Sequence, residues 1–176
     1  MSALSVLYIV LPILAVSLCH ALEVVFTARR WASHHSASSD EAHQSLVNIL
    51  FRLSGVNMSA YVIAPGLGLL AVLLSTTALF AGGLWAELVW TTVFMAYSVC
   101  SLINIVRAVT LKGYVPGLVT SIISVPLIAY AAYSLSLVWP WWEMLLFAIL
   151  GLVLAVAGHF IAQRIGRYST TISASL

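Results

Sequence analysis

Five apolar stretches, each about 20 residues or longer, divide this chain at residues 4–28, 60–80, 88–111, 116–137 and 143–165. A hydrocarbon core of about 30 Å takes about 20 apolar residues of helix, so each stretch can cross a bilayer once. The chain is therefore expected to be all-α, a polytopic membrane bundle of five transmembrane helices, with residues 1–176 forming a single transmembrane domain. Only 7% of its residues are charged, against about 25% in soluble domains. The 7 Lys and Arg set against 5 Asp and Glu are too sparse to form a nucleic-acid surface. No nucleic-acid partner is expected. Cys19 and Cys100 fall inside apolar stretches without CxxC spacing and read as small buried hydrophobes, not as a redox pair.

The first stretch reads as a retained span and not as a secretory leader, because no cation precedes it and its apolar run is too long. Arg29, Arg30 and Trp31 close it with the residue types of an interface. Residues 32–59 turn polar, and Leu46, Val47, Leu50 and Leu53 recur there at helical spacing. That spacing predicts an amphipathic helix along the membrane surface. Within this segment His34, His35, Asp40, Glu41 and His43 have no fixed ligand spacing and read as a solvated loop. In a five-span arrangement all seven Lys and Arg fall near span ends on one side. The positive-inside rule makes that side cytoplasmic, with the N-terminus out and the C-terminus in. Trp85, Trp90, Trp139, Trp141 and Trp142 fit an aromatic belt on the other side. The expected location is a bacterial plasma (inner) membrane.

Ionisable and polar groups inside spans are costly and turn towards protein or water, so they mark the candidate site. His20 and Glu23 are three residues apart on the first span and share a helical face. Tyr97, Ser101, Asn104 and Arg107 form a polar stripe on the third span. The fourth opens with Gly117, Thr120, Ser121 and Ser124, and the fifth carries His159 and Gln163 at i,i+4. All lie in the expected cytoplasmic half, which predicts one polar pocket lined by spans one, three, four and five. The bland counterpart is a structural Glu23–Arg107 ion pair, with His20, Asn104 and His159 as interhelical hydrogen-bond partners worth about 1 kcal/mol each.

Tyr114-Val115-Pro116-Gly117 carries its own logic. Proline suits a helix start and pushes the preceding residue out of helical geometry, so the fourth span begins sharply here. Glycine on either side lets the Tyr114 hydroxyl approach the pocket mouth.

Together, His20-Ala21-Leu22-Glu23-Val24 and Tyr114-Val115-Pro116-Gly117 resemble the motifs of the HXXEE family of small integral membrane proteins. That family is named for a histidine followed by two acidic residues and also carries a further histidine and a Tyr-x-Pro-Gly motif. His20, Glu23, Tyr114, Pro116 and Gly117 match, whereas Val24 replaces the second acidic residue. The resemblance implies a further histidine at His159, or at position 104, where this chain has Asn104. It brings no established activity. The full pattern would suit a metal site; with Val24 in place no metal or other cofactor is expected, and His20, Glu23 and His159 would be the ligands if one bound.

The leading expectation is an intramembrane enzyme doing acid–base chemistry, an isomerisation or cyclisation, on a lipid-like and plausibly isoprenoid substrate. Five-span sterol isomerases and small membrane terpene cyclases offer an analogy of setting only. A carboxyl removed from water favours its protonated form, which makes Glu23 the candidate acid, with His20 the base. Asn104, Arg107 and His159 complete the catalytic set. Tyr97, Ser101, Tyr114, Thr120, Ser124 and Gln163 are the candidate substrate contacts, and a membrane lipid or amphiphilic small molecule is the expected partner. The alternatives are a small proton-coupled transporter or lipid-binding protein, and an accessory subunit of a membrane complex.

Overall fold

A computed structural model describes residues 3–36 and 58–173. It contains five helices: α1 Ala3–Ser36, α2 Met58–Ala81, α3 Leu84–Thr110, α4 Leu118–Ser136 and α5 Trp141–Ser173. Each holds a stretch long and apolar enough to cross a membrane, the first at Tyr8–Ala28 and the last at Trp141–Gly166. Helices α1 to α4 close a ring in which each packs on its two neighbours, α4 returning to α1. Helix α5 lies outside the ring against α2 and α3, and meets α4 only at its margin.

The packing is layered along the bundle. At one end Ile9, Val10 and Ile13 of α1 meet Leu79, Trp90, Phe94, Ala131 and Leu135 in an apolar cluster. Trp90 and Phe94, four residues apart on α3, stack there with ring centroids 5.5 Å apart. At the other end Ala108, Leu111 and Val115 pack with Trp31 and Leu118. Between these clusters runs a layer of buried Ser17, Ser98, Ser101, Asn104, Thr120, Ser121 and Ser124. Leucine, valine and isoleucine populate the outward faces of the same helices. That inversion is what a lipid surround selects, since apolar side chains lose nothing by facing hydrocarbon and polar ones must turn inward.

Two turns set the helix ends near the site. Helix α3 stops in a Schellman pattern: Lys112 takes φ 49°, its N–H bonds the Val109 carbonyl at 3.2 Å, and the Gly113 N–H bonds the Ala108 carbonyl at 3.1 Å. The chain then crosses to Gly117, whose φ of 87° lies in the left-handed region that favours glycine. Helix α4 accordingly starts at Leu118, two residues later than proline alone predicts.

Other expectations also need correcting. The apolar span of α1 does end at Ala28 as expected, but the helix itself runs on to Ser36. Trp90 belongs to the interior, not to an aromatic belt, whereas Trp85 and Trp141 are exposed. Cys19 and Cys100 are free thiols on outward faces, not buried ones. The greater part of the polar segment expected at 32–59, residues 37–57, lies outside the described residues.

Helix α5 approaches α3 through Gly151. A methyl group there would sit 2.6 Å from the Ala96 backbone nitrogen and 2.9 Å from Met95. Gly151→Ala is therefore expected to push α5 off α3 at a cost of about 1–3 kcal/mol, the usual range for overpacking. Reversible unfolding in mixed micelles measures it.

Candidate functional site

The site is built around Glu23, on the α1 face turned to the start of α4. Every helix leaves its first N–H groups without an intrahelical acceptor, and a side chain at the N-cap commonly supplies one. The N-cap of α4 is Gly117, which has no side chain to do so. Glu23 supplies the acceptors from the neighbouring helix. Its Oε1 accepts from the Val119 N–H at 3.2 Å, and its Oε2 from the Thr120 N–H at 2.9 Å and the Thr120 hydroxyl at 2.7 Å. A fourth donor, the Tyr114 hydroxyl, reaches Oε1 at 2.7 Å. Negative charge at a helix N-terminus also meets the favourable end of the helix dipole.

His20 is tied to the same carboxylate through Thr120. Its Nδ1 lies 2.9 Å from Thr120 Oγ1. The 2.7 Å separation of Thr120 Oγ1 from Glu23 Oε2 requires a proton between them, and the threonine has only one to give. The network thus assigns the donor at the other contact: His20 Nδ1–H donates to Thr120, which donates to Glu23. The Gly117 backbone is a further hydrogen-bond partner of the ring. The imidazole lies against the bare face of Gly117, where a methyl group would come within 2.5 Å of Cε1. The imidazole and the Tyr97 ring stand perpendicular, with centroids 6.3 Å apart.

Tyr114 fastens the loop to α1. Besides donating to Glu23, its hydroxyl lies 3.2 Å from Thr27 Oγ1, and its carbonyl accepts from Trp31 Nε1 at 2.6 Å. Burial, and then the adjacent Glu23 carboxylate, hold the Tyr114 phenol above its ordinary value against the opposing pull of Thr27. A group that releases its proton less readily when folded than unfolded loses stability as pH rises through its unfolded value, here about 10. Bundle stability is expected to fall above that pH. Tyr114→Phe should flatten the fall and cost about 0.5–1.5 kcal/mol at neutral pH; unfolding curves at pH 7 and pH 11 read both effects.

The remaining expected residues divide into two groups. Tyr97, Ser101 and Ser124 line the buried layer beside His20, and Asn104 Nδ2 reaches Ser121 Oγ at 3.5 Å. The hydroxyls of Tyr97 and Ser101 are enclosed, with those of Ser124 and Ser17 beside that of Tyr97. By contrast, Arg107 is not among the groups acting on Glu23, and no Glu23–Arg107 ion pair forms. His159 and Gln163 ride on α5, which packs on α2 and α3, while the groups that meet Glu23 come from the turn before α4 and from α4 itself. Among the described residues no three His, Cys, Asp or Glu side chains gather as a metal site, and His20, Glu23 and His159 do not form one. Sequence reasoning missed Thr27 and Ser17, and read Trp31 only as an interface residue. Thr27 and Trp31 continue the i+4 series from Glu23 along one face of α1.

The fold and site together define a polytopic helical membrane protein whose first span carries a histidine and a carboxylate seated on the N-terminus of another span. The chain belongs to the family described as proteins of unknown function with an HXXEE motif, whose sequence profile matches residues 11–133. That range holds both motifs and all the residues gathered around Glu23, and leaves His159 and Gln163 outside. No curated protein and no solved structure matches the chain.

Proposed function

We propose that this protein is an intramembrane acid–base catalyst in which His20 moves a proton on a lipid-like substrate entering between α1, α3 and α4. The observation that carries this reading is the His20–Thr120–Glu23 relay. A histidine whose Nδ1–H is fixed by a carboxylate-bound partner presents Nε2 as the working atom, which is how an imidazole is oriented for proton transfer. Glu23 then serves as the fixed acceptor and not as the acid, because all four of its bonds are received. Asn104 and the neighbouring hydroxyls are the substrate contacts. Isomerisation or cyclisation suits such a site, since both need a proton moved and neither needs water. The cation distribution supports an N-out, C-in orientation that puts the site in the cytoplasmic half, and a bacterial inner membrane as its location.

The test uses the purified protein in liposomes of native membrane lipid, incubated in D2O. A base that removes a carbon-bound proton and an acid that returns one leave deuterium on carbon. The wild type is expected to produce a lipid species one mass unit heavier over time, and His20→Gln is expected to lower its rate by about 10²-fold or more. Absence of any wild-type-dependent label, or an unchanged rate in His20→Gln, would remove the proposal.

A further inference from the structure

The charges of the described residues divide by end of the bundle. Arg30, Arg107 and Arg164 lie towards the C-terminal ends of α1, α3 and α5, and Lys112 lies in the turn after α3. Glu87 and Glu143 lie in the first turns of α3 and α5, at the opposite end. The remaining carboxylate, Glu23, is taken up by its four donors. Among the described residues no second carboxylate lies at the cationic end.

Lys112 is the informative member of this set. It holds the C′ position of the turn that ends α3, where glycine is usual because a left-handed backbone is costly for other residues. Gly113 stands one place too late to take that position. The chain thus keeps an exposed lysine on a strained backbone, and strain of this kind gathers at functional positions.

Beside Lys112 lies an ordered piece of interface. Trp31 donates to the Tyr114 carbonyl at 2.6 Å and packs against Ala108, Leu111 and Val115, which fixes the indole of α1 on the turn that carries the lysine. Arg30, next to Trp31, is exposed. From this margin α1 and α4 run on together into the span, and their outward residues Phe26, Val119 and Ile123 are apolar and exposed. Cations and an amphipathic ring at the edge of an apolar seam match a lipid whose phosphate carries net negative charge. A free phosphate ion would use the margin and leave the seam unused.

We infer that the turn carrying Lys112, with Arg30 and Trp31 beside it, docks the headgroup of an anionic phospholipid whose acyl chains lie along the α1–α4 seam. This surface is separate from the proposed chemistry at His20, and its test reads lipid binding alone.

Full-length protein in a non-ionic detergent is titrated with dioleoyl phosphatidylglycerol or dioleoyl phosphatidylcholine, and native mass spectrometry counts the lipids retained. The wild type is expected to retain a phosphatidylglycerol at a concentration about fivefold or more below that needed for phosphatidylcholine, which is the worth of one cation near a membrane surface. Lys112→Gly should lose about fivefold in affinity for phosphatidylglycerol and none for phosphatidylcholine. It should unfold no more readily than wild type, since glycine relieves the backbone. Arg164→Gln, on α5 away from the seam, should leave the preference intact. Equal retention of the two lipids by the wild type would overturn the inference, as would an undiminished preference in Lys112→Gly. A loss in Arg164→Gln as large as that in Lys112→Gly would also overturn it, because it marks a diffuse field of charge and not a site. So would displacement of phosphatidylglycerol by inorganic phosphate at the same concentration, which would assign the margin to the ion.

Discussion

Glu23→Ala is expected to lower the stability of the bundle by about 2–4 kcal/mol, because it strips the acceptor from four donors at once. Two of these, the Val119 and Thr120 N–H groups, are first-turn amides of α4. Without Glu23 they have no acceptor within their own helix. The Tyr114 and Thr120 hydroxyls lose their shortest bonds in the same step. Glu23→Gln should cost roughly half as much: its carbonyl oxygen still accepts, but its NH2 group meets donors. Glu23→Asp retains the charge on a stem one carbon shorter and should lie between the two. Unfolding in mixed micelles with rising SDS gives the order, and equal costs for all three would show that the carboxylate is not the shared acceptor.

The second large effect is expected at Gly117. An alanine there would place its methyl 2.5 Å from His20 Cε1 and 3.1 Å from Nδ1, on a backbone with φ of 87°. The left-handed conformation alone costs a non-glycine residue about 1–2 kcal/mol. Displacing the imidazole adds an overpacking cost of about 1–3 kcal/mol. It also pulls Nδ1 from Thr120, so Gly117→Ala should reduce deuterium transfer even under conditions where the bundle stays folded. The ring has little room to yield, with Gly117 against its Cε1 end and Tyr97 perpendicular to it.

Much of this arrangement is written in local sequence. The five spans follow from apolar length, because a membrane permits only one solution for a backbone crossing it. The spacing of His20 and Glu23 and the Pro116-Gly117 helix start are equally local. What local sequence does not carry is which helices are neighbours. His159 and Gln163 share the depth of the site but ride on α5, outside the ring; depth can be counted along a span, whereas position around the bundle cannot. Trp90 illustrates the same difficulty at closer range. Its ring sits in the interior stacked on Phe94, a pairing whose i+4 spacing is visible once composition no longer makes every tryptophan an interface residue. Glu23 is the instructive case. Its acidity invited a catalytic assignment or an ion pair with Arg107, and two of its four donors proved to be backbone amides, which no residue code displays. A helix start without a capping side chain, preceded by proline and glycine, is the available signal that another span must supply one.

The account's central claim is that the two motifs meet in one site, with His20 resting on Gly117 while Glu23 holds the helix that follows. The cost of Gly117→Ala, measured in wild type and again in a His20→Ala background, tests it most directly. Removing the imidazole removes the collision and leaves only the backbone strain, so the cost should fall from about 2–5 kcal/mol to about 1–2 kcal/mol. The same cost in both backgrounds would mean that His20 does not lie on Gly117, and the two motifs would have to be placed apart.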